Sequence, residues 1–120
     1  VARLAGERVW EPALSDRGPV VLEGGAIDVN GRGTLLATEE CLLDPAVQVR
    51  NPGFSRADYE AVFREVLGAG NAIWLGRGIA GDDTHGHVDD VARFVGPRTI
   101  VLCEEPDPRD PNHAALAENS

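Results

Sequence analysis

Between Gly81 and Asp90 the chain reads Gly-Asp-Asp-Thr-His-Gly-His-Val-Asp-Asp, four carboxylates and two imidazoles in ten positions. Charge at that density is poor core material. With Val88 extended, His87 and Asp89 stand two positions apart and project from one face of a strand, about 6 to 7 Å between their Cα atoms. An acid-base group and an anion then share one side of a pocket. Three readings compete for the cluster. One is a solvated acidic loop. The second is a divalent-metal site made by Asp83, His85 and His87, although their spacing matches no zinc motif. The third is a metal-free catalytic His/Asp pair.

Glu23, within Leu22-Glu23-Gly24-Gly25, is the next candidate. It follows an apolar run and precedes two glycines that permit close approach of another stretch of backbone. Either it points at water from a strand end, or it is a carboxylate that hydrogen-bonds and orients a histidine, since a buried glutamate needs a partner. Cys41 and Cys103 lie 62 positions apart with no CxxC or Cys/His spacing near either. They are expected to be free, buried thiols acting as small core hydrophobes in a reducing cytoplasm.

The elements that must position these residues follow from periodicity and punctuation. Val1 to Gly6 reads as the tail of a helix closed by glycine, with a short strand over Arg8 to Trp10 and a polar loop between Pro12 and Pro19. Val20 to Val29 reads as a strand interrupted by Gly24-Gly25. Asn30 to Gly33 turns it back into Thr34 to Ala37 as a hairpin. Ser55 and Asp58 have the form of a capping box, and Tyr59, Val62, Phe63, Val66 and Leu67 follow at helical spacing up to Gly68. Asn71 to Leu75 is a strand, giving the order β, β, α, β. The four glycines between Gly76 and Gly86 predict a loop. Val88 to Val95 fits a helical face as well as a strand. The Gly96-Pro97 turn and the apolar run Thr99 to Leu102 favour a hairpin. Glu104 to Pro111 is turn-rich, and Asn112 is expected to cap a short helix ending at Glu118. The recurring order suggests a repeated supersecondary unit, without sequence self-similarity to prove one.

Length and composition bound what these parts can build. The 120 residues suffice for one domain or part of one. With 42% hydrophobic and 26% charged residues, the chain has the make-up of a soluble globular protein. No stretch approaches the roughly 20 apolar residues that span a bilayer. The chain opens on Val1 with no visible secretory signal, which leaves room for a missing N-terminal portion. A formal charge of -9 repels phosphate backbones and attracts cations. A small cationic substrate fits that sign; nucleic acid does not.

Two stretches together carry a family resemblance. One runs from Leu22-Glu23-Gly24-Gly25-Ala26-Ile27-Asp28-Val29-Asn30-Gly31 through Thr38-Glu39-Glu40-Cys41-Leu42-Leu43. The other runs from Ile73-Trp74-Leu75 through Gly81 to Phe94. In this order and separation they resemble the agmatine deiminase and bacterial (Porphyromonas-type) peptidylarginine deiminase family, from about Val20 to the end. The resemblance implies an α/β fold of pentein type, a propeller of five ββαβ units, of which residues 1–120 would be an incomplete single domain supplying about two. It implies His87 as general acid/base, Asp89 as the carboxylate that grips a substrate guanidinium, and Glu23 as the acid that supports the histidine. It assigns no catalytic role to His85.

The implied activity is hydrolysis of agmatine to N-carbamoylputrescine and ammonia through a covalent cysteine intermediate, as in putrescine biosynthesis. No cofactor or metal is implied. The implied setting is cytoplasmic, away from membranes and nucleic acid, and a homo-oligomer of the full-length parent is compatible with it. Peptidyl or free arginine is the alternative substrate, and a non-catalytic metal-binding module the alternative outside enzymes. The family's nucleophilic cysteine sits in a glycine-rich motif near the C-terminus and its second guanidinium-binding aspartate before the region matched here, and neither motif is present in these residues. Neither Cys41 nor Cys103 takes the nucleophile's place.

Overall fold

The computed structural model describes residues 2–9, 11–14, 18–46 and 48–120. Parts of the expectations for Val1, Trp10, Ser15 and Asp16 fall outside them. The chain opens with helix α1 (Ala2–Ala5), closed by Gly6 as expected. Arg8 and Val9 are not in a strand. A two-residue pairing forms later instead, β1 (Ala13–Leu14) against β2 (Gly18–Pro19), inside the stretch expected to be a loop.

The central sheet has the order β3-β4-β5. Asn30 makes the turn between β3 (Asp28–Val29) and β4 (Thr34–Thr38), its Oδ1 accepting from the backbone N–H of Arg32 at 2.8 Å and of Thr34 at 3.0 Å. β4 and β5 (Asn71–Leu75) run parallel, so the chain must cross over between them. It does so through α2 (Glu39–Leu43) and α3 (Arg56–Leu67). The capping box expected at Ser55 is present: Asp58 accepts from the Ser55 N–H at 2.8 Å, while the Ser55 hydroxyl accepts from the Asp58 N–H at 3.3 Å. Gly68 closes α3.

Alternation along β4 divides the interior in two. Leu35 and Ala37 face Tyr59 and Phe63 of α3, whereas Leu36 packs with Val88, Val91, Ala92 and Leu116. A strand buried on both faces reads as the unbroken apolar run seen in its sequence. Outside this sheet, β6 (Ala92–Gly96) and β7 (Thr99–Leu102) form the second hairpin, and α4 (His113–Glu118) follows.

Three local expectations are corrected. Residues 20–23 form no strand, and Gly24–Ala26 is a 3₁₀ turn, so only Asp28–Val29 of the predicted strand is paired. Val88–Asp90 is likewise a 3₁₀ turn and not the start of the hairpin strand. Val88 and Val91 are both fully buried in one core, and residues three apart stack on one side of a 3₁₀ turn but fall on opposite faces of a strand. Asn112 precedes α4 but does not cap it. Its Oδ1 accepts from the Ala80 N–H at 2.7 Å, and at the other end of α4 Asn119 accepts from the Gly76 N–H at 2.8 Å, so α4 anchors the start of the long loop.

The loop's two ends cross at Gly78 and Gly86. A Cβ on Gly78 would lie 2.5 Å from the Gly86 Cα, so no larger residue fits without moving backbone.

Candidate active site

Glu23 reaches the site from a segment outside the strands that a side chain helps to hold in place. The Asn51 amide bonds Val21 as a neighbouring strand would, accepting from its N–H and donating to its carbonyl, both at 2.8 Å, and also donates to the Tyr59 hydroxyl at 3.0 Å. Beyond Val21, the Glu23 carboxylate Oε2 stands 3.0 Å from His87 Nε2 and accepts from Arg50 Nε at 2.7 Å. The His87 hydrogen bond holds the Glu23 carboxyl below the usual carboxylate range; burial opposes this and Arg50 reinforces it.

His87 enters the Val88–Asp90 turn, and its side chain is 13% exposed. Asp89 Oδ1 lies 4.0 Å from His87 Nδ1. The pair expected from an extended Val88 therefore meets, by way of a tight turn and not a strand. Because ionised Glu23 can only accept at Nε2, that nitrogen carries hydrogen and Nδ1 is left to exchange a proton on the Asp89 side.

Gly25 forms the wall between the two groups. A Cβ there would lie 2.4 Å from His87 Nδ1 and 2.8 and 2.9 Å from the two Asp89 oxygens. Arg93 Nη1 stands 3.9 Å from Asp89 Oδ2, while its Nη2 pairs more closely with Asp28 at 3.3 Å. The Asp89 side chain is about one-third exposed.

The loop before His87 is braced by Asp82. Its carboxylate accepts from the Thr84 N–H at 2.7 Å, from the Thr84 hydroxyl and from the Gly86 N–H at 2.8 Å. Burial pushes this carboxyl up, but the Thr84 side chain and the backbone N–H groups of Thr84, Gly86 and His87 outweigh it and bring it down to about 2. Thr38, fully buried at the end of β4, donates its hydroxyl to the Gly86 carbonyl. His87 is thus fixed from the sheet and from its own loop.

The metal reading of Asp83, His85 and His87 is corrected. His85 is exposed, with a left-handed backbone at φ 60°, and the His/Cys/carboxylate group that converges among the described residues is Glu23, Cys41 and His87, with ligand atoms within 4.8 Å. That set suits a cation poorly. The Arg50 guanidinium already neutralises Glu23, and burial pushes the Cys41 thiol up to about 11, so a metal would have to displace a tightly held proton. The same protonation makes Cys41 a poor nucleophile, and it is buried as expected. Cys103 departs from expectation: it is exposed, its thiol 3.6 Å from the Asp90 carbonyl.

Sequence reasoning singled out Glu23, His87 and Asp89, and the fold brings them together. It missed Arg50, Asn51 and the role of Gly25. Gly25 left a signal in the glycine pair beside an acid. Arg50 and Asn51 left none, because the partners that tie them to the site, Glu23, Thr84 and Val21, are 27 to 34 positions away.

A family model described as Porphyromonas-type peptidyl-arginine deiminase matches residues 2–120. An agmatine deiminase of Stutzerimonas stutzeri is 50% identical over 94 residues, 78% of this chain and 25% of the relative. Among solved structures, an agmatine deiminase of Enterococcus faecalis, described as catalysing its reaction, superposes with a TM-score of 0.75 at 39% identity, covering 82% of this chain and 26% of that one. A C. jejuni agmatine deiminase variant with substrate bound also gives 0.75, at 36% identity, covering 82% and 29%. The chain belongs to the Porphyromonas-type peptidyl-arginine deiminase family, with the mixed α/β architecture of its solved members. It spans about a quarter of the length of these relatives.

Proposed function

We propose that this chain is a piece of an agmatine deiminase and carries the proton-transfer and guanidinium-gripping half of its active site. The observation that carries this reading is the convergence of Glu23, His87 and Asp89 around the bare backbone of Gly25. A guanidinium is planar, so a carboxylate accepting two of its N–H bonds sets its position and the face it offers to attack. Asp89 is that carboxylate. His87 donates a proton to departing ammonia, then accepts one from the water that cleaves the covalent intermediate to the ureido product. Glu23 stabilises the ring when it is protonated.

The attacking thiolate and a second guanidinium-binding aspartate come from elsewhere in the full-length protein, so the 120 residues alone turn nothing over. The β3-β4-α3-β5 order supports a place in a five-unit propeller, with the β6–β7 hairpin opening the next unit. Arginine in a peptide or free is the second reading, favoured by the description of the family. The same guanidinium grip serves both. Measuring ammonia and ureido product from agmatine and from a peptide ending in arginine, with the full-length protein, separates them: turnover of agmatine is expected. Turnover of the peptide alone would replace the substrate, and turnover of neither would refute the hydrolase reading. Zinc binding with micromolar affinity at His87 would favour the metal module instead.

A further inference from the structure

We infer that Arg50 is a positioning residue of this site, one that acts on His87 through Glu23; the catalytic part of this inference rests on the hydrolase reading. Its side chain is 3% exposed, and a buried guanidinium needs a partner for its charge and for its five donors. Nε donates to Glu23 Oε2 at 2.7 Å. Nη1 donates to the carbonyls of Cys41 at 3.2 Å and Gln48 at 3.3 Å, and Nη2 to the carbonyl of Thr84 at 2.5 Å. One planar group thus ties the carboxylate to helix α2 and to the loop that carries His87 three residues later.

The oxygen that Arg50 holds is the one that meets His87. Glu23 Oε2 accepts Nε of the arginine and faces Nε2 of the imidazole. Among the described residues Glu23's own segment has no strand partner, so its placement at the ring draws on this contact together with Asn51 on Val21 and the Val20 N–H on the Pro12 carbonyl. Among the described residues, the groups facing Glu23 are Arg50 from the linker, His87 from the loop and Cys41 from α2. Of these, Arg50 alone is a permanent cation. Lysine would supply the charge without the fork that reaches three segments.

The test uses the full-length protein carrying Arg50→Met, Arg50→Lys, Glu23→Gln and the double variant Arg50→Met/Glu23→Gln. A displaced supporting carboxylate predicts that Arg50→Met loses about 10²-fold in kcat, as a misplacement near 1 Å can cause, with KM largely kept because the buried Arg50 side chain offers a ligand almost no surface. The acid limb of its kcat profile should move to higher pH, and Arg50→Lys should return the limb but only part of kcat. The double variant should be little worse than Glu23→Gln alone. Losses that multiply, or an acid limb that stays put, would overturn the inference.

A readout independent of turnover is the titration of the Glu23 carboxyl by ¹³C NMR, assigned with Glu23→Gln. Its midpoint should rise in Arg50→Met. If it rises while the wild-type protein acts on no guanidino compound, the hydrolase reading fails and the hold on Glu23 stands; if it does not move in folded Arg50→Met, the positioning role fails whatever the activity. Should Arg50→Met not fold, the Arg50 Nε–H resonance of the wild type decides. It should shift as Glu23 titrates, and indifference to that titration would overturn the role.

Discussion

A hydrogen at Gly25 occupies the place where any other residue would put a Cβ against the His87 ring and both oxygens of Asp89. Gly25→Ala should therefore cost about 10²-fold in kcat/KM of the full-length protein, the scale of an ångström's misplacement. Gly24→Ala is the control, since a Cβ there meets nothing within 4 Å and activity should be kept. Equal effects of the two substitutions would mean that the contact at residue 25 is not what matters. His87, Asp89 and Glu23 were legible as candidates because charge crowded into a glycine-rich loop, or placed after an apolar run, is anomalous in the linear sequence. Arg50 was not: an arginine in a linker looks like any solvated charge until the chain folds over it.

At the scale of elements, the site depends on two side-chain anchors that replace secondary structure. Asn51 stands in for a strand beside Val21 and satisfies the fully buried Tyr59. Asn51→Ala should destabilise the folded protein by about 1–3 kcal/mol, the cost of leaving buried polar groups without partners, as read by urea denaturation. Asp82 braces the loop before His87, and its folded carboxyl titrates near 2 against an ordinary 3.8. A carboxyl held low in the folded state adds stability that is complete above the ordinary value and disappears as pH falls from about 4 through about 2. The charge-dependent part of the stability difference between wild type and Asp82→Asn should be largest near neutrality and vanish below that window. A difference constant with pH would show that the hydrogen bonds need no charge.

Helix α3 could be read in advance because its capping box and its 3.6-residue period are local. The 3₁₀ turn at Val88–Asp90 could not, since three residues are too few to show a period and Val88, Val91 and Ala92 fit more than one pattern. The segment at 20–23 looked like a strand by composition, and nothing local disclosed that Asn51, 30 positions on, takes the partner's place.

For the molecule as a whole, the parts of the site are far apart in sequence and meet only through the parallel crossover. Glu23 and His87 are separated by 64 positions, and Glu23 and Arg50 by 27. The ββαβ order was visible from alternation and helical spacing, but not which loops would converge, because that is fixed by how β4 is buried on both faces.

The most direct measurement is of agmatine hydrolysis by the full-length protein and by its Asp89→Asn variant. Removing one charge-assisted guanidinium clamp, at about 1.5–3 kcal/mol, predicts a fall in kcat/KM of about 10- to 100-fold in a protein that melts at the same temperature. Undiminished kcat/KM for agmatine in that variant would contradict the assignment of Asp89, and with it the site built around His87 and Glu23.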